Sequence, residues 1–363
     1  SQGKEVKSLG DLSAAPVLLK KQLRVEPLKS LGKSRKPKFS RHTAGTTGEP
    51  THVSLNRREL AQMLGVRDYC FRHYGLKLGQ REARLWGRPE SGIKSWARNF
   101  VMNRRVFYPV GGKAEQEVAA LMSWRPNYIY GYSSLLLEAA KLLDEMQLEF
   151  KPPRCVISTA ESILPSQKAF ISRVFKAPVA EEYGSTEFDV IAFECSDGHR
   201  HLVNPWLIVE DDKEGGVVSD LSRVSQDLIR YRLGDSFTIK GADCGFLGDQ
   251  KYIDQLRGRT IDSLFFVNKS EKIHEIFLSR LFDRYFRENN DLFSFQMKQH
   301  EYADLDVFID APPVNGIEHL RVFLEQEISN IAETHIDVRI HIGKTRESSR
   351  KRNYFIQNMK VSE

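Results

Sequence analysis

Apolar residues recur with helical spacing at Leu60, Met63, Leu64, Val66 and Tyr69, which predicts a helix over 60–74. The stretches Glu115–Trp124 and Ser133–Met146 carry the same period. In the second, Leu135, Leu136, Ala139, Ala140, Leu142 and Leu143 form an apolar face, and Ser133 is the expected N-cap. Short apolar runs at Asn127–Tyr130, Cys155–Ser158, Val190–Phe193 and Leu207–Val209 read as strands. This alternation predicts an α/β domain. Further on, Val217–Ser219, Leu228–Arg232 and Phe237–Lys240 look like strands separated by turns.

The last hundred or so residues read as a separate small unit. Its order is strand (Leu264–Val267), helix (Ile273–Phe286), two strands (Phe293–Lys298, Leu305–Ile309), helix (Ile317–Ile331) and strand (Ile336–Ile342). That βαββαβ order is ferredoxin-like. The expected division is a large mixed α/β domain over 1–261 and a small α+β domain over 262–363.

Composition is that of an ordinary soluble enzyme, with 40% hydrophobic and 28% charged residues, and excludes a mainly disordered or collagen-like chain. No apolar run approaches the roughly 18 residues of a membrane span. Four cysteines in 363 residues make no disulfide framework, so a reducing cytoplasm is expected. The formal charge of +6 is uneven: residues 1–41 hold eleven Lys or Arg against three acidic residues, and residues 344–363 hold six against two. The basic leader suits an anionic partner or a solvated surface. The second is preferred, because only Phe39 interleaves the Lys33–Arg41 run and no nucleic-acid-binding signature accompanies it.

Three segments carry chemistry. In Thr43-Ala44-Gly45-Thr46-Thr47-Gly48 two glycines permit a tight turn, and hydroxyls with backbone N–H groups suit phosphate oxygens, although a plain polar turn reads the same. It is not a Walker loop. The chain's Gly343-Lys344-Thr345 has Val338 where that motif needs its leading glycine. Glu182-Tyr183-Gly184-Ser185-Thr186-Glu187 offers a ring for a base and a carboxylate for Mg²⁺, or simply a helix start. Arg230-Tyr231-Arg232-Leu233-Gly234-Asp235 places a carboxylate just after a strand, where it can accept from two ribose hydroxyls or merely close a turn. Downstream, Gly258-Arg259 precedes the small unit.

In this order the segments resemble the ANL superfamily of adenylate-forming enzymes, and most of all its phenylacetate–coenzyme A ligase-like and capsule-biosynthesis adenylating branch. Two softer signatures agree: Asp11-Leu12 through Leu23-Arg24, and Gly131-Tyr132-Ser133-Ser134. The likeness covers nearly the whole chain. Relatives usually carry several dozen more residues ahead of the first signature, so the chain looks short at its N-terminus.

The resemblance implies ATP-dependent activation of a carboxylic acid, aryl or acyl, to an acyl-adenylate with release of pyrophosphate. Transfer to coenzyme A, to a carrier-protein thiol or to an amine would follow. It assigns Thr43, Gly45, Thr46, Thr47 and Gly48 to the phosphates, and Ala160, Glu161, Glu182, Tyr183 and Gly184 to the nucleotide. Asp235 is assigned to the ribose, Arg259 to nucleotide support, and Thr186 and Glu187 to catalysis with Mg²⁺ on Glu187. Tyr132 and Phe188 fall to the acyl pocket, and Asp262 to the hinge of a mobile small domain. The adenylation lysine aligns best with Lys351, with Lys344 second. A homodimer is compatible with it, and nucleic acid is not an expected partner. A catalytically degenerate, nucleotide-binding relative with a partner-binding role is the competing reading, motivated by the altered lysine loop.

Some members of the branch carry a Cys- and His-rich patch suited to zinc. Here Cys195, His199, His201 and Cys244 stand in that region, but Ala242 replaces one expected cysteine. Buried free cysteines and loop histidines are therefore the preferred reading over a zinc site.

Overall fold

The chain begins, in the computed structural model, with helix α1 (Lys20–Val25) and a ribbon of β1 (Phe39–His42) and β2 (His52–Leu55). The residues described are 12, 14–25, 39–42, 52–87, 92–241, 244, 251–259, 264–343 and 353–359. Of Arg24, Val25, His42, Lys94, Arg257, Gly258 and Arg259 the backbone alone is described. Helix α2 (Arg57–Arg72) starts at a capping box, in which Asn56 accepts from the Glu59 N–H and Glu59 from that of Asn56. Then come β3 (Glu82–Leu85), α3 (Ile93–Val101), β4 (Arg104–Phe107), α4 (Ala114–Ser123), β5 (Tyr128–Tyr132), α5 (Ser133–Met146), β6 (Cys155–Thr159) and α6 (Pro165–Phe175). A run of strands follows: β7 (Val179–Ser185), β8 (Asp189–Glu194), β9 (Arg200–Leu202), β10 (Leu207–Asp212), β11 (Gly215–Asp220), β12 (Tyr231–Arg232), β13 (Asp235–Gly241) and β14 (Lys251–Arg259). The last part holds β15 (Leu264–Phe266), β16 (Lys272–His274), α7 (Glu275–Asn289), β17 (Phe295–Gln299), β18 (Asp304–Ile309), α8 (Ile317–Ala332), β19 (Asp337–Ile342) and β20 (Phe355–Gln357).

These elements gather into two compact units, one of residues 1–78 with 180–257 and the other of 79–179 with 258–363. In the first, β7, β8, β9 and β14 pair in an antiparallel series, and β10, β11 and β12 form a second antiparallel sheet. Phe188, Ile191, Val218, Leu228 and Tyr231 pack into its core. Glu59 ties α2 to the 224–225 loop by accepting from the Val224 and Ser225 N–H groups and the Ser225 hydroxyl. Burial acts to raise the Glu59 pKa, but these bonds hold it below the ordinary value.

In the second unit β4, β3, β5 and β6 form a wholly parallel series, with α4 and α5 connecting them over a Leu- and Ala-rich core. Parallel strands need such crossover helices, which is why their runs read as continuously apolar. The same unit contains a sheet in the order β19-β18-β17-β20 packed on α7 and α8.

That small sheet differs from the ferredoxin-like arrangement. Leu264–Phe266 does not enter it. The Val267 N–H donates to the Glu271 carbonyl and closes β15 and β16 into a separate hairpin. The edge beside β17 is taken instead by β20, running parallel to it. Three further expectations shift. The Leu228–Arg232 strand shrinks to Tyr231–Arg232 because Arg230 adopts φ +48°. Ser133 is the first helical residue of α5, not its cap. Thr186–Phe188 is the turn of a β-hairpin, not the start of a helix.

Candidate functional site

The first unit carries one half of the expected nucleotide chemistry. Strands β7 and β8 pair with a register shift between Tyr183 and Gly184, and the turn between them presents Thr186 and Glu187. Gly184 is required: a Cβ there would lie 2.0 Å from the Asp189 carbonyl oxygen. The Tyr183 hydroxyl donates to Asp235 Oδ2 at 2.9 Å, joining two motifs that lie 52 residues apart. Burial, and then the Asp235 charge, push the Tyr183 pKa well above the usual tyrosine value, so it stays a donor. Glu187 Oε1 accepts from Tyr231 at 2.8 Å, and its backbone carbonyl accepts from the buried Arg223 guanidinium at 2.5 Å. The buried Glu187 carboxylate is thus anchored by Tyr231, while Arg223 fixes the backbone of the turn that carries it.

Two other expected residues have structural surroundings. Glu182 is buried beside Arg67 at 3.5 Å, and Arg67 also meets Asp189 at 2.6 Å. Phe188 is buried against Tyr231, with ring centroids 5.8 Å apart.

The second unit carries the other expected residues at the carboxyl ends of its parallel strands, where open α/β sheets bind ligands. After β6 the chain turns through Ala160 at φ +67° and reaches Glu161. Glu161 Oε2 accepts from the Ser134 N–H at 2.9 Å and its carbonyl accepts from Ser133 Oγ at 3.0 Å. The cap of α5 is thus supplied by Glu161 from across the chain. Trp86, which follows β3, packs on Tyr132 with centroids 4.1 Å apart and stacks on Tyr130 at 5.9 Å and 15°. Arg84 lies 4.6 Å over the Tyr130 ring. Trp86 was not among the sequence candidates. Its signal was its position one residue past a strand that was itself not foreseen.

Thr43, Gly45, Thr46, Thr47, Gly48, Asp262 and Lys351, with the fallback Lys344, lie outside the described residues, and Arg259 is described by its backbone as the last residue of β14.

The structure brings Cys195, His199, His201 and Cys244 together, their ligand atoms all within 4.8 Å of one another. The 195–199 turn is closed by the Gly198 N–H on the Cys195 carbonyl and the Cys195 N–H on the His199 carbonyl. Cys244 Sγ is 2.8 Å from His201 Nε2. His199 Nδ1 is buried with no hydrogen-bond partner among the described residues. Two sulfurs and two imidazoles at this separation suit a tetrahedral zinc, whose ligand atoms lie about 3.3–3.8 Å apart.

No protein-family model matches the chain. It is 21% identical over 379 residues to protein CapK of Staphylococcus aureus, covering 99% of this chain and 82% of that one. Among solved structures, a 2-hydroxyisobutyryl-CoA ligase in the postadenylation state superposes with a TM-score of 0.74 at 16% identity, over 97% of this chain and 82% of that one. The anthranilate CoA ligase AuaEII with anthranoyl-AMP gives 0.59 at 12% identity, over 86% and 64%. The amide bond synthetase McbA of Marinactinospora thermotolerans gives 0.56 at 14%, over 84% and 65%. The chain therefore has the fold of these CoA ligases and of the amide bond synthetase.

Proposed function

With the adenylate-forming fold as premise, we propose that this protein activates a carboxylic acid with ATP. A carboxylate oxygen attacks the α-phosphorus, the α–β bridging bond breaks, and pyrophosphate leaves. A thiol or an amine then attacks the acyl carbon and AMP departs. The observation that carries the reading is the Tyr183–Asp235 hydrogen bond, which couples the two nucleotide motifs and sets Asp235 as an oriented acceptor for ribose hydroxyls.

Glu187 is assigned to Mg²⁺, which when bound would neutralise phosphate charge. Tyr231 donates to that carboxylate, and Arg223 holds the turn through the Glu187 backbone carbonyl. Tyr183 and, separately, Ala160 and Glu161 are assigned to the adenine. The Thr43–Gly48 loop is assigned to the phosphates and Arg259 to nucleotide support. Lys351, in the small C-terminal domain that turns about Asp262, bridges the attacking carboxylate and the α-phosphate. The Trp86–Tyr132–Tyr130 stack supports a flat, aryl acid as substrate. Coenzyme A, a carrier-protein thiol and an amine are the acceptors to compare. The Cys195–His199–His201–Cys244 cluster is assigned to a structural zinc that pins the β8–β9 hairpin to the segment at Cys244.

The test is pyrophosphate release across a panel of aryl and short aliphatic acids, with mass detection of the acyl-AMP. ATP binding without release from any acid would sink the enzyme reading and favour the degenerate relative. Lys351→Ala should lower adenylate formation by orders of magnitude and leave ATP binding intact.

A further inference from the structure

Helix α3 is built inside out. Its uncharged polar residues face inward: Ser95 is buried, and Asn99 is half-buried with a buried Oδ1. Its large apolar residues face solvent, with Ile93 85%, Trp96 66%, Phe100 73% and Val101 77% exposed. At about 100° per residue these four, with Ala97, form one continuous stripe roughly 140° wide. The Trp96 and Phe100 rings stack at 5.5 Å and 14°, a preformed aromatic pair exposed among the described residues. Burying apolar side chains is the main force of folding, so a helix that turns them outward keeps them for something else.

The chain that carries this stripe is basic, Glu90 being the acidic residue nearest to it in sequence. No Asp or Glu occurs between Glu90 and Glu115, whereas Lys94, Arg98, Arg104, Arg105 and Lys113 do. Arg104 is committed to Glu82 at 2.7 Å. Arg98 is exposed beside the stripe, and Arg105 is exposed just beyond the helix.

Two aromatic and two aliphatic side chains offer on the order of 500 Å², short of the roughly 800 Å² each partner gives to a stable protein interface. A second copy would also set the same basic residues against themselves. A surface helix with Trp and Phe on one side and flanking Lys and Arg matches an anionic lipid surface, in which such a helix lies at headgroup depth.

We infer that α3 docks the protein peripherally on anionic membrane surfaces, with Ile93, Trp96, Phe100 and Val101 inserted and Arg98 and Arg105 against the headgroups. The experiment is flotation of the full chain with vesicles of phosphatidylcholine and phosphatidylglycerol, 3:1, and with phosphatidylcholine alone. Binding should be at least tenfold tighter to the anionic vesicles and should weaken as salt rises. The Trp96→Glu/Phe100→Glu pair should lose tenfold or more, with circular dichroism and nucleotide binding unchanged. Ile93→Glu should weaken it less. Tryptophan fluorescence should shift to the blue with anionic vesicles, and Trp96→Phe should remove that shift. No binding by the wild-type chain, equal binding by the double variant, or a lipid-free dimer that the double variant dissociates would each overturn the proposal.

Discussion

Glu82 lies at the start of β3, in register with Arg104 on β4 and Tyr128 on β5, so one carboxylate ties three parallel strands at their amino ends. It is 2% exposed and accepts from Arg84 Nε and Arg104 Nε at 2.7 Å each, Arg104 Nη2 at 3.0 Å and the Tyr128 hydroxyl at 2.9 Å. Burial alone would raise its pKa, but Arg84 and Arg104 overcome that and bring it from 4.5 down to about 2. The folded carboxyl therefore binds its proton less readily than the unfolded one, and unfolding takes up a proton in that range. The stabilisation is fully present above pH 4.5 and is lost as pH falls toward 2. Its size is on the order of 3 kcal/mol, of which about 2 kcal/mol is gone by pH 3. Glu82→Gln should lower the urea midpoint at pH 7 by an amount equivalent to about 3 kcal/mol, in keeping with the cost of breaking a buried pair. The gap between wild type and variant should narrow to about 1 kcal/mol as pH drops from 4.5 to 3. A loss below about 1 kcal/mol at pH 7, or a gap that does not change with pH, would refute the argument.

The other predictions concern the candidate chemistry. Asp235→Asn should raise the KM for ATP about tenfold or more, while Tyr183→Phe should cost less, since it removes an orienting bond and leaves the acceptor; steady-state pyrophosphate assays separate the two. Gly184→Ala should destabilise the first unit by about 2 kcal/mol or more and weaken nucleotide binding, because its Cβ would overlap the Asp189 carbonyl, and thermal denaturation with a binding titration reads both. Purified protein should carry zinc near one equivalent by elemental analysis, and Cys244→Ser should lower that stoichiometry and the Tm together. Trp86→Ala should raise the KM for an aryl acid severalfold and leave the KM for ATP unchanged.

Much of the frame was legible because strongly periodic segments are stable wherever they fall. Ser133–Met146 is the helix its apolar face predicts, and β5, β6 and β8 lie on their apolar runs. Helix α3 was not foreseen, since its apolar positions serve no core, and β3 was missed because its buried Glu82 and half-buried Arg84 make a charged strand. The cap of α5 was unreadable for a different reason: local sequence offered Ser133, whereas the acceptor is Glu161, 28 residues on. The four zinc candidates could be named from sequence, but only the turn at 195–199 and the placement of Cys244 bring their ligand atoms to one point. In the small sheet, β15 was read as a sheet strand because apolar content does not encode partner choice. Three residues of turn chemistry sent it to β16 instead.

Strand β20 has a practical meaning for anyone handling this protein. Its three residues pair with Met297, Lys298 and Gln299, and Tyr354 adds a hydroxyl bond to Gln167 Oε1 at 2.7 Å on α6. Shortening the chain to before Asn353 would strip that cover and leave a buried, aromatic-backed strand with open N–H and C=O groups, a template for edge-to-edge association. Such a truncation should precipitate before it loses its helices, and a purification tag is better joined beyond Met359 by a flexible spacer than set against this strand.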